Sequence, residues 1–177
     1  MADQRIQYTE EFIGSGHPTK SDTLNRIVVV DHNIDGTHKK PAFSAHKNGT
    51  NQSGLGAAVS TKITWSTELF DTDSCFAGSS FTPNVAGKYL LTSTLLIGAA
   101  VAGKLYYAIV FKNDVFFLAG PPIYAATGGS WGVGVCAIVD ANGTTDKFDI
   151  YLFNGDTSDL EISGAGGNTW FSGCRIN

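Results

Sequence analysis

The sequence predicts an all-β protein, a two-sheet antiparallel sandwich built on residues 41–177. From Pro41 onward, short runs rich in Val, Ile, Tyr and Phe alternate with Gly, Asn, Asp and Ser clusters roughly every ten residues, the cadence of strands and tight turns. No segment keeps a helix-period apolar stripe. Nor do strands alternate with helices, which removes the doubly wound nucleotide-binding architectures.

Residues 1–40 form a lead-in of different character. Three of the four histidines lie there, His46 follows just beyond, and the alternating apolar pattern is missing. Only Arg26-Ile27-Val28-Val29-Val30 has the β-branched enrichment of a strand, and this short extended segment is expected to pair with a neighbouring chain. The sandwich opens with a strand at 42–46. Further strands are predicted at 57–65, 87–97, 105–112, 115–118, 130–139, 147–153, 159–162 and 169–176.

Residues 95–111, LLIGAAVAGKLYYAIVF, are interrupted by Lys104 and fall short of an uninterrupted membrane span of about 20 residues. They read as two buried strands around an Ala102-Gly103-Lys104 turn. Lys112-Asn113-Asp114 tolerates a left-handed turn, and Ala141-Asn142-Gly143 supplies the positive dihedrals of a hairpin. The run from Tyr106 to Phe111 is apolar on both alternating faces, so both faces are expected to be covered, the outer one by other subunits.

Composition bounds the function. A chain of 177 residues holds one substantial core plus an appendage. Its charged share of 16% is low for a lone soluble monomer and points to a surface covered by partners. A net charge of -4 offers no footprint for a phosphate backbone, so no nucleic acid partner is expected, and no membrane insertion. Cys75, Cys136 and Cys174 are odd in number, widely spaced and without CxxC, and read as buried free thiols. The start MADQRIQYTEEF lacks the charged beginning and apolar core of a signal peptide, so assembly in a cytoplasm is expected. Sequons at Asn48, Asn51 and Asn142 then read as turn chemistry rather than glycan sites.

Several stretches together resemble the globular head of complement component 1q and the related tumour necrosis factor jelly rolls. Pro41-Ala-Phe-Ser-Ala45 is similar to the opening strand of that head, and Leu69-Phe70-Asp71 to its first hairpin region. Phe81-Thr-Pro-Asn-Val-Ala-Gly87-Lys-Tyr89 matches its F-x5-G-x-Y core motif. Val110-Phe-Lys-Asn113-Asp, Asp146-Lys-Phe148 and Trp170-Phe-Ser-Gly173 follow in the family's order. Leu91 and Ser93 stand where a further aromatic is usual, and Thr145 replaces the glycine before Asp146. The resemblance implies a jelly-roll sandwich assembled as a homotrimer. No collagen-like Gly-X-Y stalk precedes it in this sequence.

The lead-in has a resemblance of its own. Residues 11–26, which include His17-Pro18-Thr-Lys-Ser-Asp22-Thr-Leu-Asn25, and the run Asp31-His32-Asn-Ile-Asp35-Gly36-Thr-His38-Lys39 resemble segments of bacteriophage and prophage tail-fibre proteins that precede a trimeric distal domain.

For chemistry, His32 and His38 with Asp31 and Asp35 are the candidate metal ligands, since a threefold axis would bring three copies together, enough for octahedral coordination. The competing reading is a hydrogen-bonded turn at Asp35-Gly36. No cofactor is expected; the one open option is a structural metal ion on the trimer axis. Gly14-Ser-Gly16-His-Pro-Thr-Lys20-Ser21 lacks the glycine before lysine that a phosphate loop needs. Gly54-Leu-Gly56 and Gly164-Ala-Gly166-Gly167 read as loops, and no serine sits in a nucleophile elbow. Asp71 and Asp73 read as a solvated hairpin tip or weak calcium ligands rather than a glycosidase pair.

The sequence therefore predicts a non-enzymatic structural and recognition protein of a phage or phage-like particle, a tail-fibre or virion component made in the host cytoplasm. Its lead-in would hold other virion or tail proteins. Tyr124, Thr127, Thr157 and Asp159 are the candidate contacts to a host-surface glycan or protein. The alternative is a secreted or surface lectin-like module acting outside the cell, and a polysaccharide hydrolase ranks below both.

Overall fold

The computed structural model describes residues 40–176, and the chain divides between Lys39 and Lys40. The strand expected at 26–30 and the metal candidates His32 and His38 lie outside the described residues.

Fourteen strands follow in order among the described residues: β1 (Ala42–His46), β2 (Gln52–Leu55), β3 (Ser60–Lys62), β4 (Thr67–Asp71), β5 (Phe76–Ala77), β6 (Ser80–Phe81) and β7 (Ala86–Ala100). Then come β8 (Leu105–Lys112), β9 (Val115–Ala119), β10 (Ile123–Tyr124), β11 (Gly129–Asn142), β12 (Phe148–Asn154), β13 (Leu160–Ile162) and β14 (Trp170–Arg175). They form two seven-stranded antiparallel sheets. The first runs β4-β1-β14-β7-β11, with β13 on β7 and β2 beyond it. The second is centred on β8 and β12, with β9 and β10 on the far side of β8 and β3, β6 and β5 beside β12. This is the predicted jelly-roll sandwich.

The motifs of the sequence meet in the core. Phe43 of β1 stacks on Phe76 at 4.6 Å and on Phe81 at 4.5 Å, and meets Phe171 edge-on at 4.7 Å. Such pairs contribute about 0.5–1.5 kcal/mol each beyond their burial. Phe81 and Tyr89, the two ends of the F-x5-G-x-Y motif, touch at 5.4 Å, and the Tyr89 hydroxyl donates to the Val85 carbonyl at 2.6 Å. Gly173 is fixed by space, because a Cβ there would lie 2.7 Å from both Leu91 and Phe43 side-chain carbons.

Several expectations change. The strand expected at 57–65 shrinks to β3, because Ala58 turns through φ 55° before it and Trp65 leaves the sheet to donate its backbone N–H to Ser79 Oγ. β2, β5, β6 and β10 escaped notice because they are two to four residues long and take their order from neighbours rather than from pattern. Gly54 lies inside β2, and Ala165–Gly167 forms a single 3-10 turn.

Asn113 and Asp114 do make a left-handed turn, at φ 54° and 64°. Asn142-Gly143, however, closes no hairpin: β11 and β12 lie in different sheets, and the Asn142 side chain organises the loop between them by accepting the N–H groups of Thr144, Thr145 and Asp146.

The outer face of β8 is covered from within the chain. Ile109 is 1% exposed beneath two stacked pairs, Tyr107 with Phe153 at 4.8 Å and Phe111 with Tyr151 at 3.9 Å. No second subunit is required to bury it. Nor are all three thiols buried: Cys75 is, whereas Cys136 and Cys174 alternate to the exposed outer face of the first sheet.

Candidate functional site

The two ends of the sandwich differ in what they hold. At the base, the lead-in joins through Pro41, whose carbonyl accepts the Arg175 N–H at 2.9 Å, and the 113–114 and 143–147 loops lie alongside. The opposite end, the apex, carries the 56–59, 101–104 and 155–159 loops and the segment around β10.

Leu105, the first residue of β8, organises the apex. Tyr124 of β10 lies opposite it on one side, and on the other its carbonyl accepts the Gly155 N–H at 2.9 Å. The structure thus brings Tyr124 and the Thr157-Asp159 loop to the same end of the sandwich, flanking one strand. Lys104 and Ala125 close the β10 side, with Ala125 N–H donating to the Lys104 carbonyl at 3.0 Å and Gly103 N–H to the Ala125 carbonyl at 2.7 Å. Thr127 is exposed, and its carbonyl accepts Trp131 Nε1–H at 2.9 Å, which ties this loop to a tryptophan packed against the core.

Tyr124 presents an unusually bare ring, 68% exposed, with Val59 and Val101 also open to solvent. Thr157, Ser158 and Asp159 are exposed at the same end, on the other side of β8. The only ion pair at this end among the described residues is loose, Lys104 Nζ to Asp156 Oδ1 at 4.0 Å. Such a surface can offer one aromatic face, small apolar contacts and hydroxyl or carboxylate hydrogen bonds. In the sequence Lys104 reads only as a turn residue, and no role is expected of Asn154 and Asp156. Asn154-Gly155-Asp156 after an apolar strand is a turn signature that could have drawn notice to them.

The remaining polar clusters serve the scaffold. Asp149, fully buried, accepts Ser80 Oγ–H at 2.6 Å and pairs with Lys62 at 2.8 Å, while Lys62 also donates to Ser80 Oγ at 2.8 Å. A serine beside a lysine invites a nucleophile-base reading, but the Ser80 hydroxyl hydrogen is given to Asp149 and the lysine donates to the same hydroxyl oxygen, so Lys62 is not placed to take that proton. Asp71 is spent on its own loop, accepting Phe76 N–H at 2.7 Å and the Cys75 thiol at 3.5 Å. Burial, with Asp71 beside it, pushes that thiol up to about 12. No group of three or more metal-ligating side chains occurs among the described residues. Asn51 bridges Glu161 and the Gly164 N–H, so two of the three sequon asparagines, Asn51 and Asn142, organise loops.

No protein-family model and no curated protein matches the sequence. Among solved structures, murine APRIL at pH 5.0 is similar with a TM-score of 0.61 at 11% identity, over 78% of this chain and 100% of that one. A second murine APRIL structure, at pH 8.0, gives 0.60 at 12% identity over the same shares. The Eiger TNF structure from S. frugiperda gives 0.52 at 8% identity, covering 78% and 92%. Likeness at such identity speaks to fold alone, and the fold it shows is the TNF-like jelly roll.

Proposed function

We propose that the chain is a homotrimeric recognition protein of a phage or phage-like particle, a tail-fibre or virion component. In this reading residues 1–40 attach to other tail or virion proteins, and the apical loops meet a host-surface glycan or protein. One observation carries the oligomer: the edge strands β4, β9 and β11 expose large apolar side chains. Leu69, Phe70, Val115, Phe116, Phe117 and Ile138 are exposed from 44% at Phe117 to 66% at Val115. Edge strands of lone proteins are normally blunted by charge or proline, and apolar exposure on this scale marks an interface.

β4 borders one flank of the sandwich and β9 with β11 the other. A contact that joins the two flanks is head-to-tail, the kind that forms a ring when the rotation between copies closes. Three copies are what the jelly-roll resemblance implies.

Recognition is assigned to the apex because it lies opposite the end at which the lead-in joins. Tyr124, Thr127, Thr157 and Asp159 would supply the contacts, and three weak sites would act together through effective concentration. His32 and His38 are the candidates for a structural metal ion on the trimer axis. The expected location is the virion, after synthesis in the host cytoplasm.

The test is retention on an array of immobilised bacterial lipopolysaccharides and capsular polysaccharides. Tyr124→Ala and Asp159→Ala are expected to weaken retention by about tenfold each with unchanged circular dichroism, the scale of a single well-placed contact. Retention indifferent to both substitutions would overturn the assignment to the apex.

A further inference from the structure

We infer that Asn154 is the positioning residue of the apical surface, pinning loops from separate parts of the chain so that a ligand meets a preformed site. The inference rests on the apical reading above and adds to it how the surface is held. Asn154 ends β12 and is fully buried. Its two Nδ2 hydrogens are shared among the carbonyls of Leu55 at 2.9 Å, Gly56 at 3.3 Å and Ser158 at 2.9 Å, while its Oδ1 accepts the Asp156 N–H at 2.9 Å. One amide group thereby ties the end of β2 to both sides of the 155–158 turn.

The residues around it complete the fastening. The Asn154 N–H donates to the Val59 carbonyl at 3.1 Å and the Ala58 N–H to the Asp156 carbonyl at 3.2 Å, which closes the 56–59 loop against the 155–158 loop. Asp156 Oδ1 accepts the Thr157 N–H at 2.6 Å. Gly155 is required beside them, since a Cβ there would lie 2.5 Å from the Leu105 carbonyl oxygen. Only a side chain with two donor hydrogens and an acceptor serves here: leucine would fill the space and leave a buried carbonyl and an N–H unmet, and aspartate would set a carboxylate against three carbonyls. Ordering loops before a ligand arrives removes a cost otherwise met at binding.

Amide hydrogen exchange on the full chain tests this. In the wild type, the Ala58, Asp156 and Thr157 amides are expected to exchange on the order of tenfold or more slowly than an unstructured chain, although their loops lie at the surface. Asn154→Ala is expected to raise exchange in 55–59 and 155–158 by about tenfold and to leave 86–100 and 129–142 unchanged. Asn154→Asp keeps the acceptor for Asp156 N–H, so it should loosen 55–59 more than Asp156 itself. Unprotected wild-type amides at Ala58, Asp156 and Thr157 would overturn the inference even if both variants failed to fold. So would a rise in exchange spread evenly over the sandwich, which would mark a merely structural residue. Protected loops on a protein whose array retention ignores Tyr124→Ala would leave Asn154 as positioned here and remove the apical reading instead.

Discussion

Asp146, at the base of the sandwich, meets Lys112 Nζ at 2.9 Å, Asn113 Nδ2 at 3.0 Å and the Asn142 N–H at 2.9 Å. Burial pushes its carboxyl up, but these donors together outweigh burial and hold it below the ordinary 3.8. A carboxyl depressed in the folded state contributes stability that is present above the unfolded value and is lost as pH falls through the folded one. Asp146→Ala is expected to cost about 3 kcal/mol at neutral pH and to flatten the fall of stability below about pH 4, both read by urea unfolding. Lys47 has the opposite sign. It is 1% exposed, donates to the Thr64 carbonyl at 2.9 Å, and burial lowers its ammonium below 10.5. The folded state therefore gains stability as pH rises through that lowered value towards 10.5, a gain that Lys47→Met should abolish in alkaline melts. Neither role was legible in the sequence, because a lone lysine or aspartate between turn residues gives no sign of burial. The loops that hold Tyr124 and Thr157 could be picked out by composition. Their meeting across Leu105 could not, since thirty-odd residues, including the whole of β11 in the other sheet, separate them along the chain.

At the scale of elements, strand pattern was readable wherever one face is buried. β1, β8 and β14 stand where alternation placed them, within one residue, and the long β7 and β11 exceed their predicted ends because small or polar residues continue the ladder without apolar signal. What pattern could not supply was which cover lies over an outer face. Stacked aromatic pairs on β8 and β12 supply it within the chain, where a subunit was expected. The two sheets are drawn together at one flank by Gly120, where a Cβ would collide with the Gly134 carbonyl of β11. Gly120→Ala is expected to cost about 1–3 kcal/mol in chemical denaturation, by prising the β9-β10 link off β11. Phe43→Ala, which removes the ring shared by three aromatic contacts, should cost about 3–5 kcal/mol.

Across the whole molecule, the thiols report on assembly. Cys75 is buried and its thiol is pushed up to about 12, so it should resist alkylation at neutral pH. Cys136 and Cys174 lie on the outer face of the first sheet, on either side of β7, where Leu90, Thr92, Thr94 and Leu96 make an uncharged strip above the Lys88–Asp140 ion pair. Rapid labelling of both in dilute protein and protection of both at higher concentration would place this face inside the oligomer. The fold class and the core motifs could be argued from residue order because they depend on local alternation and on aromatic spacing. Assembly depends on exposed edges that only the folded sheets reveal. The measurement that bears most directly on the trimeric account is sedimentation equilibrium of the full chain at micromolar concentration: a single species of three times the chain mass is predicted, and a stable monomer would contradict it.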